Sequence, residues 1–89
     1  MENKIPRRKS HVTLRIFTSG ERILFDLKSR QTYKMNKTAL EIWSLCNGSH
    51  SIDHIIKTIV DKFGVDETEA RTDVEEFVSK LSSLGLIEI

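Results

Sequence analysis

Chemistry-bearing residues are scarce in this chain. It has one cysteine, Cys46, which cannot close an intramolecular disulfide, so a packed core must supply the stability. Cys46 falls near the end of a predicted helix, where the macrodipole opposes a thiolate, and it reads as a core residue rather than a nucleophile. The four glycines stand singly at the ends of predicted elements, which excludes a glycine-rich phosphate loop. Serines are present, but none sits in a Gly-x-Ser-x-Gly elbow. The three histidines are His11, His50 and His54. His50 and His54 are four residues apart, yet His50 precedes the expected helix cap Ser51, so the pair is not expected to share a helical face. With no further Cys/His cluster, no metal and no cofactor is expected. No apolar run approaches the roughly 18 residues of a membrane span. The opening MENKIPRRK has no apolar stretch behind its charges, so no signal peptide is read and the chain reads as cytoplasmic. These absences together argue against an enzyme.

What is present suits one small soluble domain. The 89 residues are 38% hydrophobic and 30% charged, close to ordinary globular composition. Charge is unevenly divided. Residues 1–36 carry nine Lys/Arg against three Asp/Glu, and residues 37–89 carry five against ten. Residues 1–10 are polar, aperiodic and basic, and read as a flexible arm ahead of a single domain over residues 11–89.

From His11 to Phe17 the chain alternates, with Val12, Leu14 and Ile16 on one face, which is the period of a half-buried strand. Ser19-Gly20 marks a turn into a second strand over residues 22–27, and a short polar link leads to a third over residues 32–35. Short links force antiparallel neighbours, so the three strands form a meander with the third at an edge. Asn36 caps a first helix that ends at Asn47-Gly48. Ser51 caps a second, whose Ile52, Ile55, Ile56, Ile59, Val60 and Phe63 make one apolar stripe before Gly64. Asp66 and Glu69 resemble a capping box for a third helix, with a stripe of Ala70, Val74, Phe77, Val78, Leu81 and Leu84. The tail, Leu86 to Ile89, is expected to pack under the sheet or add a stub of strand. The fold class is therefore α+β, a winged helix-turn-helix-like domain in which a three-stranded antiparallel sheet precedes three α-helices.

Two binding readings follow. A winged-helix DNA-binding regulator would use Arg7, Arg8 and Lys9 on phosphates. The third helix opposes it, carrying Asp66, Glu67, Glu69, Asp73, Glu75 and Glu76 against only Arg71 and Lys80, a poor match for a polyanion. The other reading uses the edge strand, whose unpaired N–H and C=O groups invite an added strand from a peptide or from a second copy of the chain. Tyr33 and Met35 would form one wall of a groove beside it, and Val74, Phe77, Val78 and Leu81 the other.

At this point the sequence resembles the PqqD family of peptide chaperones, whose domain recurs as the recognition element (RRE) of ribosomal peptide-modifying (RiPP) pathways. The resemblance runs from about Glu21 to Glu88. Its carriers are Asp26-Leu27, Tyr33-Lys34-Met35-Asn36, Ile42-Trp43, Asn47-Gly48, Asp73-Val74, Phe77, Leu81 and Gly85-Leu86. It departs from the family pattern at Arg30, where a glycine is common, at Lys34, where a small residue is common, and at Met35, which replaces leucine. The resemblance implies a non-catalytic leader-peptide-binding protein that takes up a precursor peptide as an added strand. The peptide would then pass to a modifying enzyme such as a radical SAM protein, or to a leader peptidase, in lasso-peptide or quinone-cofactor biosynthesis. By position, it implies peptide contacts from Gln31, Thr32, Tyr33, Lys34 and Met35, and from Arg71, Val74, Glu75 and Val78 on the exposed side of the third helix. Lys34 adds the expectation of acidic residues in the peptide.

Overall fold

The computed structural model describes residues 3–89. In chain order its elements are β1 (Arg7–Arg8), β2 (Val12–Ile16), β3 (Arg22–Asp26), β4 (Thr32–Met35), α1 (Lys37–Leu45), α2 (Ile52–Phe63), α3 (Glu67–Ser83) and β5 (Ile87–Glu88). The meander has the expected order β2-β3-β4, antiparallel throughout, and β1 and β5 form a second, two-stranded sheet. The architecture is the expected α+β arrangement.

Each helix begins where a short polar side chain can accept an orphan amide. Asn36 Oδ1 accepts from the Ala39 N–H at 2.8 Å, and Ser51 Oγ from the His54 N–H at 3.1 Å. Asp66 Oδ2 accepts from the Thr68 N–H at 3.0 Å, a simple cap one residue short of the capping-box position. The helices then bury their stripes on one another. Ile52, Ile55, Ile56 and Ile59 of α2 meet the core together with Ala70, Val74, Val78 and Leu81 of α3. Ile42 and Trp43 of α1, Leu24 and Met35 of the sheet, and Leu86 and Ile87 of the tail close the same cluster.

The N-terminal segment corrects the sequence reading. Residues 1 and 2 of the expected flexible arm lie outside the described residues, but the remainder is docked. The Lys4 carbonyl accepts from the Ile52 N–H, the Pro6 carbonyl from the Gly48 N–H, and the Cys46 carbonyl from the Arg8 N–H. The Lys9 N–H donates to the Leu86 carbonyl, and Arg7 and Arg8 pair with Glu88 and Ile87. The segment thus runs as a short strand between the α1–α2 link and β5. Backbone hydrogen bonds carry most of it, with the Pro6 side chain fully buried, and that leaves no hydrophobic period to read in the sequence. Arg8 completes it. Its Nη1 donates to the Trp43 and Ser44 carbonyls at 2.9 Å each, which satisfies C-terminal carbonyls of α1, and its guanidinium lies 5.8 Å from the Trp43 ring centroid.

Candidate functional site

The site is built on the β3–β4 hairpin. Asp26 ends β3, and its Oδ1 accepts from the backbone N–H groups of Lys28 at 2.9 Å and Ser29 at 3.3 Å. Its main chain brackets the turn: the Asp26 carbonyl accepts from Arg30, and its N–H donates to the Gln31 carbonyl. Burial alone would raise the Asp26 pKa. The hydrogen bonds from Ser29 and Lys28, and the nearby His11, outweigh it and hold the carboxyl below its ordinary value. The turn closes only because Arg30 takes a left-handed conformation, φ 63°. A side chain there costs about 1–2 kcal/mol that glycine avoids. Arg30→Gly is therefore expected to leave the fold intact and raise stability by about 0.5–1 kcal/mol, because a more flexible unfolded chain offsets part of the relief. Chemical denaturation would measure it, and a loss of stability would show that the Arg30 side chain contributes more than its backbone strain removes.

The turn also fixes which groups of β4 face outward. Hydrogen-bonded and non-hydrogen-bonded pairs alternate along an antiparallel ladder. With Asp26 bonded to Gln31, the next hydrogen-bonded pairs are Leu24–Tyr33 and Arg22–Met35. The other side of β3 agrees, since the Phe17 N–H donates to Glu21 and the Leu27 N–H to His11, leaving odd-numbered residues of β3 for β2. Thr32 and Lys34 consequently turn their N–H and C=O groups away from the sheet. Among the described residues no strand pairs with that edge.

Below the edge lies a groove of about 290 Å³, lined by Leu24, Tyr33 and Met35 of the sheet, by Phe77, Lys80 and Leu81 of α3 and its cap residue Leu84, and by Leu86 from the tail. Leu24, Met35, Leu81 and Leu86 are buried and form the floor, while Tyr33 and Phe77 are half-buried on the walls. Thr32 and Lys34 are exposed at the rim. Lys34 reaches Glu21 at 3.5 Å across open solvent.

The site residues expected from sequence divide here. Thr32, Tyr33, Lys34 and Met35 line the groove, and Gln31 precedes them with its carbonyl committed to Asp26. The α3 residues do not join them. Val74 and Val78, expected on an exposed side, are both 0% exposed and belong to the core, so they are corrected to packing residues. Arg71 points towards α2, with Nη2 3.7 Å from Asp53 Oδ1. At about 100° per residue, Phe77, Lys80 and Leu84 lie roughly 120–180° around the helix from Arg71, and Glu75 stays on the Arg71 side. The groove face of α3 is therefore Phe77, Lys80, Leu81 and Leu84. Leu84 and Lys80 were missed, although Lys80 follows Phe77 by three residues and Leu84 follows Leu81 by three, which carried the signal.

Elsewhere the chemistry is sparse. Burial pushes the Cys46 thiol up to about 12, only partly offset by the Arg8 charge, so it is a poor nucleophile. His50 lies ahead of the α2 cap, as read, but its ring stacks on His54 with centroids 4.7 Å apart, so the two are neighbours after all. Among the described residues, no three His, Cys, Asp or Glu side chains gather to hold a metal, and no helix is long and apolar enough to cross a membrane. A second, open cleft of about 650 Å³ is lined by Arg7, Arg8, Lys9, Ser10, His11, Lys28 and Glu88. Arg8, which the DNA reading needs on phosphates, is already engaged on α1.

Fold and site together define a winged-helix-like α+β domain with an open sheet edge above an apolar groove. The chain belongs to the PqqD family: residues 21–87 match Coenzyme PQQ synthesis protein D (PqqD). No curated protein sequence matches it. Three solved structures share the fold. Lasso peptide synthetase B1, complexed with the leader peptide, is 21% identical, with a TM-score of 0.82 over 97% of this chain and 100% of its own. TbiB1, in complex with the TbiA(beta) leader peptide, is also 21% identical, with a TM-score of 0.79 over 92% and 94%. The PqqD truncation of Methylobacterium extorquens PqqCD, a stand-alone RiPP recognition element (RRE), is 17% identical, with a TM-score of 0.81 over 100% and 94%.

Proposed function

We propose that this protein is a non-catalytic leader-peptide-binding module. It captures a ribosomal precursor peptide as a strand added to β4 and presents it to a modifying enzyme or leader peptidase. The observation that carries this reading is the outward-facing backbone of Thr32 and Lys34 directly above the apolar groove. Family membership supports it, as do two structural neighbours whose structures hold leader peptides.

Magnitudes show why both halves of the site are needed. Two N–H and two C=O groups permit four hydrogen bonds, each worth about 0.5–1.5 kcal/mol net. A micromolar complex needs about −8 kcal/mol, and the peptide must also be ordered. The groove supplies the difference by burying apolar side chains, at about 25 cal/mol per Å². A DNA-binding role is disfavoured by the acidic surface of α3. The same open edge could pair with a second copy of the chain, and light scattering with and without peptide separates that outcome. One neighbour is a lasso peptide synthetase B1 bound to its leader peptide, and we assign this chain to that kind of pathway, acting in the cytoplasm where precursors are made.

The test is a titration of isotope-labelled protein with leader segments encoded by short reading frames beside its gene. Amide shifts are expected at Thr32 to Met35 and along Phe77 to Leu84. Shifts confined to the α2 surface around Lys57, or strong salt-sensitive binding to duplex DNA instead, would overturn the assignment.

A further inference from the structure

Resting on the strand-addition reading, we infer that the site selects by charge as well as by shape: it takes a peptide in which a bulky apolar residue is flanked by carboxylates. Side chains directly opposite each other on paired strands share a face. A peptide residue opposite Tyr33 therefore turns into the groove, between Leu24 and Met35 on the sheet and Phe77 and Leu81 on α3. That position is a non-hydrogen-bonded pair, where side chains approach most closely. Its chain neighbour, opposite Lys34, emerges on the outer face beside the lysine ammonium. The two side-chain faces hold whichever way the peptide runs, and the close non-hydrogen-bonded pairing belongs to an antiparallel one.

The charges of the groove point one way. Among the described residues that line it, the ionised ones are Lys34, at the outer rim on β4, and Lys80, on α3, and no acidic side chain lines it. Lys34 is 82% exposed, and its partner Glu21 is also largely solvated at 3.5 Å, so exchanging Glu21 for a peptide carboxylate costs little. On α3, Asp73 and Glu76 share the side of Phe77 and Lys80 but sit a turn towards the N-terminus, outside the groove lining. An acidic peptide is thus drawn in by both lysines, and a basic one meets two like charges.

The experiment uses a synthetic peptide with a central leucine flanked by glutamates, and matched versions with glutamine or lysine in the flanks. Affinities come from fluorescence anisotropy, and location from amide shifts at Thr32 to Met35. The glutamate peptide is expected to bind about three- to tenfold more tightly than the glutamine peptide at low salt. That preference should shrink as salt screens the exposed charges. Lys34→Glu, at an exposed position, should invert the order in favour of the lysine peptide. Equal affinities with shifts at Thr32 to Met35 would overturn charge selection and leave strand addition standing. No shifts at those residues with any of the peptides would overturn strand addition itself, and this inference with it.

Discussion

Lys34→Pro is expected to reduce leader-peptide affinity at least tenfold while the domain stays folded. Proline lacks the N–H, and in most strand positions that loss breaks the ladder. Lys34 is different because its N–H and C=O face away from β3. Proline is tolerated at such edge positions, so the sheet should survive. The incoming peptide, however, loses one of four backbone bonds and meets a ring where its own strand must approach. Lys34→Ala separates the contributions. It removes the charge and keeps the N–H, and should cost only a few-fold. Tyr33→Pro should instead unfold the hairpin, since Tyr33 is paired with Leu24. Circular dichroism checks the fold and anisotropy checks binding. A folded Lys34→Pro variant with full affinity would mean that the peptide does not pair with β4.

Trp43→Ala should carry the largest stability loss, about 3–5 kcal/mol. Trp43 is 3% exposed, and it packs into the core from α1 while Arg8 lies over its ring. A domain of this size has about 4–13 kcal/mol in total, at roughly 0.05–0.15 kcal/mol per residue. The variant is thus expected to melt far below the parent, with part of the population unfolded at 37 °C. Binding should weaken only by the unfolded fraction, since Trp43 does not line the groove. A loss well under 1 kcal/mol, measured by chemical denaturation, would contradict the packing described for α1.

Most of the fold was legible because it is written in periodicity. The alternation of Val12, Leu14 and Ile16 and the isoleucine stripe of α2 each match a single element. Asn36, Ser51 and Asp66 mark helix starts that the structure keeps. The docking of residues 4–9 was not legible, since backbone groups, one buried proline and the Arg8 side chain hold it, and none of these makes a periodic pattern. The site was half legible. An edge strand can be recognised from short connections, so Thr32 to Met35 followed from sequence order. The face of α3 that meets it cannot be recognised the same way. Val74 and Phe77 are equally apolar, and only the position of α2 decides which is buried and which lines the groove.

The β1–β5 ribbon also has an architectural consequence. Arg7 lies opposite Glu88, so the N-terminal segment passes the C-terminal strand before it continues to Lys4 at the start of α2. A second domain attached after Ile89 would hang from the corner made by this ribbon. That corner adjoins Leu86, part of the groove floor. An enzyme fused there would start three residues from the groove floor, and the linker it needs to reach the captured peptide would be short.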